Sequence, residues 1–176
     1  MSGHSKWSQI KHKKGETDKK RSVLFSKLLK AIGAAARTEP NPDFNPRLRT
    51  AVETAKANNV PGDNIDRAIS KAREGHALDD LIIEAYGPEK SAIIIEALTD
   101  NSNRTVAEIR NILSENGAKM GEMGSARWAF DVPQQGNPWI PKFTQKISDE
   151  GKIKLQTLLE ALENHDDVQK IYTNAE

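Results

Sequence analysis

The sequence predicts an α+β protein: an N-terminal three-helix bundle followed by an α/β lobe with an antiparallel sheet and two helices on one face. Three observations predict it. Apolar residues within the first 75 positions recur at steps of three and four in three separate stretches. At Leu81 the period changes from helical to extended. From there the elements run β-β-α-β-β-α-β, an order suited to one sheet carrying two helices.

The first helix is expected from Thr17 to about Arg37, with Phe25, Leu28, Leu29, Ile32 and Ala36 inward and lysines outward. TEPNPDFNP is a turn-rich loop. Asn45 then caps a second helix whose first position is Pro46, with Leu48, Val52 and Ala55 as its stripe. NNVPGDN ends it. A third helix runs from near Pro61 to Glu74, with Ile65, Ala68, Ile69 and Ala72 inward and Gly75 as its stop. Three short helices can bury such stripes only against one another, so residues 1–76 are expected to be a basic tail and a helical bundle.

Residues 77–176 are expected to form the α+β lobe. LIIEAYGPEKSAIIIEAL reads as a hairpin turning at Gly87 to Ser91. Thr105 followed by Glu108 predicts a capping box, with Asn103 as a competing cap, for a helix that buries Val106, Ile109 and Leu113 and ends at Asn116-Gly117. ARWAF is the next expected strand. The proline-rich stretch DVPQQGNPWIP, residues 131–141, is a bridge to a further strand, KFTQKI. A last helix from Ser148 to about Asn164 carries Leu155, Leu158, Leu159 and Leu162 on one face, and VQKIYT closes the sheet.

Charge divides the chain. Residues 1–75 hold 16 Lys and Arg against 8 Asp and Glu, whereas the remainder holds 10 against 17. The opening MSGHSKWSQIKHKKGETDKKR alone has nine basic or histidine side chains and one tryptophan. Such a segment attracts polyphosphate and gains free energy by releasing counterions, while an acidic remainder limits indiscriminate adhesion. The candidate nucleic-acid contacts are Lys6, Lys11, His12, Lys13, Lys14, Lys19, Lys20, Arg21 and Lys27, with Trp7 either stacking on an unpaired base or pinning the tail to the helices. The simpler alternative for a lysine run is a solvated charged face.

The sequence has no cysteine, so disulfides and thiolate metal sites are excluded. The start lacks the apolar run of a signal peptide, and no stretch of eighteen apolar residues occurs, so no membrane partner and a cytoplasmic location are expected. A basic start could also mimic an organelle transit peptide, although Glu16 and Asp18 interrupt it. Phosphate-loop, dinucleotide and zinc-protease motifs are missing, as is G-x-S-x-G. His4, His12, His76 and His165 are too dispersed for ligand spacing, so no metal, cofactor, small-molecule substrate or catalytic residue is expected. KMGEMGS, Lys119 to Ser125, has two readings. It is either a flexible approach to the strand with Met120 and Met123 filling core gaps, or a protruding finger in which Lys119 meets phosphate and the thioethers meet bases.

Several stretches together resemble the YebC family: GHSKW and IKHKK at 3–14, DKKRSVLFSKL at 18–28, NPRLRTAVETAKANNVPGDNIDRAI at 45–69, YGP at 86–88, LTDNSNRT at 98–105 and GSARWAF at 124–130. The ending LLEALENHDDVQKIYTN is also similar to the family's. The resemblance implies a helical lobe and two α/β lobes, the third inserted within the second. Here DVPQQGNPWIP stands where that insertion would be, Glu89-Lys90 replaces a glycine turn, and Ala118 replaces a second glycine. Two functions are implied. One is a non-enzymatic translation factor that acts on ribosomal RNA or tRNA and relieves stalling; the other is a transcriptional regulator that binds double-stranded DNA. Asn101, Asn103 and Arg104 belong to the family's DN-NRT motif and are candidate contacts, or else they shape the loop and cap the helix.

The last bundle helix bears Arg67, Lys71 and Arg73 but also Asp63, Asp66 and Glu74, a neutral set that suits the major groove poorly. The long loop between the first two helices also departs from a helix-turn-helix. Both points favour RNA.

Overall fold

The structure, a computed structural model, describes residues 18–76, 78–134 and 137–176. Three helices come first: α1 (Asp18–Ala36), α2 (Pro46–Ala57) and α3 (Gly62–Arg73). Asn45 caps α2 through its side-chain oxygen, which accepts from the Leu48 N–H, while its amide donates to the carbonyls of Ala35 and Glu39. One buried side chain thus ends α1, shapes the loop and starts α2. The bundle buries Ile32, Ala35, Ala36, Leu48, Ala55, Val60 and Ile65 around a shared core, with Phe25, Leu28 and Leu29 packed at its edge. The expected stripes meet as the helical period requires.

The remaining elements are β1 (Asp79–Tyr86), β2 (Ala92–Thr99), α4 (Ser102–Glu115), β3 (Lys119–Met120), β4 (Phe130–Asp131), β5 (Ile140–Pro141), α5 (Asp149–Glu163) and β6 (Val168–Thr173). The main sheet has the order β3-β1-β2-β6 and is antiparallel throughout, with Ile83 opposite Ile95 and Ala85 opposite Ile93. Alternation along the strands sends Ile83, Ala85, Ile93, Ile95 and Ala97 to one face, where Ile109 and Leu113 of α4 and Leu155, Leu158 and Leu162 of α5 cover them. The two helices share one face, as the element order implies.

The opposite face departs from expectation. ARWAF is not a strand; residues 127–129 form a 3₁₀ turn, and only Phe130 and Asp131 are extended. The cause is Glu84, whose carboxylate takes the N–H groups of Ala126 and Arg127 that a ladder would need. KFTQKI likewise supplies only a single parallel bridge, Gln145 to Ala175. Within the stretch 131–141, the described residues, 131–134 and 137–141, are more than a bridge. Asp131 pairs with Ile140 in a two-stranded sheet that folds Trp139 inward to 2% exposure, edge-on to Phe130 at 6.4 Å. Trp139, Phe130, Ala126 and Ala129 cover Ile94 and Ala92, so β2 is buried on both faces, which explains its unbroken apolar run.

The β1–β2 turn places Glu89 and Lys90 at φ of 53° and 64°, the left-handed region that glycine occupies most easily. Glu89 has a compensating role. Its carboxylate accepts from the backbone N–H and the hydroxyl of Ser148, the N-cap of α5. Close approach is possible because residue 151 is glycine: a Cβ there would fall 2.5 Å from Glu89 Oε1.

Candidate nucleic-acid interface

Lys6, Trp7, Lys11, His12, Lys13 and Lys14 lie outside the described residues. Directly after them, Lys19, Lys20 and Arg21 are exposed on the first turns of α1, and the Arg21 guanidinium lies 5.3 Å from the centre of the Phe25 ring. The cations farther along α1 turn elsewhere. Lys27 donates to the backbone carbonyl of Glu163, the last residue of α5, and Lys30 pairs with Asp167. Three residues apart, they share a face, and that face meets the carbonyl end of a helix and a buried acid, both of which attract cations. Lys27 is therefore placed within the fold rather than on the outward face of α1.

Asp167 organises the junction between the bundle and the sheet lobe. Its side chain is 2% exposed, and its oxygens meet Lys30, the Arg104 guanidinium at 2.9 Å and the Thr105 hydroxyl at 2.6 Å. Thr105 gives its proton to the carboxylate, which can only accept, and in turn receives one from Thr99 at 2.7 Å. Burial pushes the Asp167 carboxyl up, but Lys30, Thr105 and Arg104 outweigh it and hold the group at about 2. Arg104, bonded to Asp167 and also paired with Asp100 at 3.0 Å, is held above its ordinary value.

The DN-NRT motif therefore carries an internal structure. Asn101, rather than Thr105 or Asn103, caps α4, accepting from the Arg104 N–H at 3.1 Å. Thr105 is one turn inside the helix and committed to Asp167. Glu108 meets His165 Nε2 at 2.9 Å instead of closing a capping box. His165 Nδ1 accepts from the Asp167 N–H, so the neutral ring carries its proton on Nε2, facing Glu108. Glu108, His165 and Asp167 offer three ligand atoms within 4.8 Å of one another, yet those atoms are engaged by these donors and acceptors. Asn103 is exposed on the first turn of α4.

The loop KMGEMGS is a held projection. Lys119 and Met120 pair with Tyr86 and Ala85 as a short edge strand, and Met120 packs against the core between the sheet and α4. Met123 fills no core gap: it is 91% exposed. Behind it Glu84, buried at 3%, accepts from the backbone N–H groups of Gly124, Ala126 and Arg127 at 2.7 to 2.9 Å and pairs with the Arg127 side chain at 3.2 Å. Burial raises the Glu84 pKa, but those donors and Arg127 prevail and leave it lowered. The Ser125 carbonyl accepts from both the Tyr86 hydroxyl and the Trp128 indole. Lys119 and Met123 thus sit on a fixed base.

Glu84 and Asp167 were not singled out from the sequence. A carboxylate inside the apolar run LIIEAY is itself a signal, because a buried charge requires partners. Asp167 gave no comparable signal: HDDV reads as a solvated turn, and its partners are far away in the chain.

Residues 5–75 match the TACO1/YebC protein N-terminal domain, and residues 78–137 and 132–175 match the TACO1/YebC second and third domain. A protein of Chlorobaculum parvum named "Probable transcriptional regulatory protein" is 47% identical over 171 residues, covering 95% of this chain and 67% of that one. A protein of the same name from Solibacter usitatus is 36% identical over 235 residues, covering 99% and 95%. The crystal structure of a conserved hypothetical protein from Aquifex aeolicus superposes with a TM-score of 0.85 at 34% identity, covering 97% of this chain and 96% of that one. The chain, with its helical bundle, its two-helix sheet lobe and these matches across nearly its whole length, belongs to the TACO1/YebC family.

Proposed function

We propose that this chain is a non-enzymatic, nucleic-acid-binding regulator of gene expression, with folded RNA at the ribosome as its first target. The observation that carries the reading is the segregation of charge: a basic first half, continued onto α1 by exposed Lys19, Lys20 and Arg21, against an acidic second half. A cation-rich segment with a single tryptophan suits irregular RNA, which is recognised through phosphates, shape and exposed bases. The candidate contacts Lys119, Met123 and Asn103 are exposed, Lys119 at the Tyr86 end of β1 and Asn103 on the first turn of α4, while Asn101 and Arg104, also exposed, are engaged in capping α4 and pairing with Asp167.

Duplex DNA is the second reading, and two observations favour it. The relatives are named probable transcriptional regulatory proteins. In addition, α2 and α3 are joined by only residues 58–61, a connection as short as that of a helix-turn-helix, even though the loop before α2 is long. Against it, α3 offers Arg67, Lys71 and Arg73 together with Asp63, Asp66 and the C-cap Glu74, a neutral set poorly suited to a groove lined by phosphates.

We read residues 1–76 and 77–176 as separate units, with 131–141 replacing the inserted third lobe. The matched segments that divide between 75 and 78, and an alignment of 235 residues against a chain of 176, support this. Sedimentation of the full chain with purified ribosomes, beside gel-shift titration on duplex DNA, tests the function. Co-sedimentation without a preferred duplex is expected. A defined duplex bound about a thousandfold over random DNA, with no ribosome association, would replace the RNA reading by the DNA one.

A further inference from the structure

We propose that Trp128 and Phe143 form a stacking platform for an unpaired nucleobase; the inference rests on the nucleic-acid reading above and names where the sheet lobe would hold a base. Trp128 is 59% exposed and Phe143 43%, with ring centres 5.4 Å apart and planes 30° from parallel. Backbone bonding brings them together. Trp128 lies in the 3₁₀ turn before β4 and Phe143 follows β5, and the Lys142 N–H bonds the Ala129 carbonyl at 2.9 Å to align the two segments.

The indole is fixed as well as exposed. Its Nε1–H donates to the Ser125 carbonyl at 2.7 Å, and the adjacent backbone is anchored by the buried Glu84. With its polar edge satisfied internally, the indole presents a π face and no hydrogen-bonding specificity. A rigid face of this kind suits any base, because every base has a π surface, and pre-fixing the ring reduces the ordering cost of binding.

Charge distinguishes a nucleobase from an apolar protein partner. The stretch 119–146 carries Lys119, Arg127, Lys142 and Lys146 against Glu122 and Asp131, a positive surplus within a half of the chain that is otherwise strongly acidic. Part of it is neutralised, since Arg127 pairs with Glu84 and the Glu176 carboxylate accepts at 2.7 Å from the hydroxyl of Thr144, the residue after Phe143. Lys142, exposed and next to Phe143, is placed to meet the phosphate of a stacked nucleotide. Aromatic faces bordered by cations are the composition that single strands require.

The test uses the full chain with a short single-stranded RNA oligonucleotide and the same RNA annealed to its complement, titrated by fluorescence anisotropy at several salt concentrations. Trp128→Ala and Phe143→Ala should each weaken single-strand binding roughly five- to a hundredfold and leave duplex binding unchanged. Trp128→Phe should recover most of the loss. The slope of log K against log salt should stay as in the unmodified chain, because neither ring neutralises phosphate. Thermal melting of each variant establishes that it folds, and Phe143→Ala provides an independent reading if Trp128→Ala does not. If the unmodified chain binds no nucleic acid, the functional reading fails and this inference with it. If it binds and the variants bind equally, the inference alone fails. Concentration-dependent self-association that both substitutions abolish, with RNA binding intact, would assign the rings to a second copy and overturn it too.

Discussion

Replacing Asp167 with asparagine should loosen the joint between the bundle and the sheet lobe by an amount the structure sets. The carboxylate is buried, and its pKa is about 2 instead of the ordinary 3.8, because the Lys30, Thr105 and Arg104 contacts outweigh burial. A carboxylate whose folded pKa is depressed contributes stability above its unfolded pKa and loses it as pH falls through the folded one. The interval from 3.8 to about 2 is worth about 2.5 kcal/mol at neutral pH. The asparagine variant forfeits this and leaves Lys30 and Arg104 facing an amide, so a loss of about 3 kcal/mol is expected, within the range for breaking a buried pair. For a chain of this size that lowers Tm by roughly 6–12 °C.

Urea unfolding of both proteins from pH 5 to pH 2.5 measures the same effect differently. The gap between them should narrow by about 1.5 kcal/mol as Asp167 begins to protonate. A variant within about 0.5 kcal/mol of the original at neutral pH, or a gap that does not change with pH, would refute the assignment of Asp167 as the charged centre of the junction.

Three further outcomes are expected. Glu84→Gln turns one of the two accepting oxygens, which share three backbone N–H groups between them, into a donor facing one or two of those N–H groups, and should cost about 2–4 kcal/mol in urea unfolding, with loss of amide exchange protection among Gly124, Ala126 and Arg127. Asn45→Ala removes an N-cap and two buried hydrogen bonds and should cost about 3 kcal/mol, read as a lowered Tm. Lys90→Gly should stabilise by roughly 0.5–1 kcal/mol, since the residue is exposed at φ 64° and glycine adopts that conformation without a Cβ clash.

The fold was legible wherever one element decides its own state. The stripes of α1 to α3, the cap at Asn45 with Pro46 after it, and the leucine face of α5 all follow from local spacing, and the structure has them. Legibility fails where a distant side chain decides. ARWAF has the composition of a strand, but Glu84, more than forty positions away, takes its N–H groups and bends it. Thr105 and Glu108 have the spacing of a capping box, but Asp167 and His165 claim them and the cap moves to Asn101.

The candidate site shows the same division. Exposed charge such as Lys19 and Lys20 can be read from sequence, because water asks nothing further of it. The inward placement of Lys27 and the alignment of Trp128 with Phe143 depend on tertiary neighbours that no local pattern reveals.

The salt dependence of RNA binding tests the central claim most directly, for the full chain and for a variant in which Lys6, Lys11, Lys13, Lys14, Lys19, Lys20 and Arg21 are replaced by glutamine. The account predicts a steep slope of log K against log salt for the first, and a slope shallower by roughly 0.7–0.9 for each phosphate that the second no longer neutralises, with affinity reduced alike for every RNA sequence. Equal affinities and equal slopes for the two proteins would contradict it.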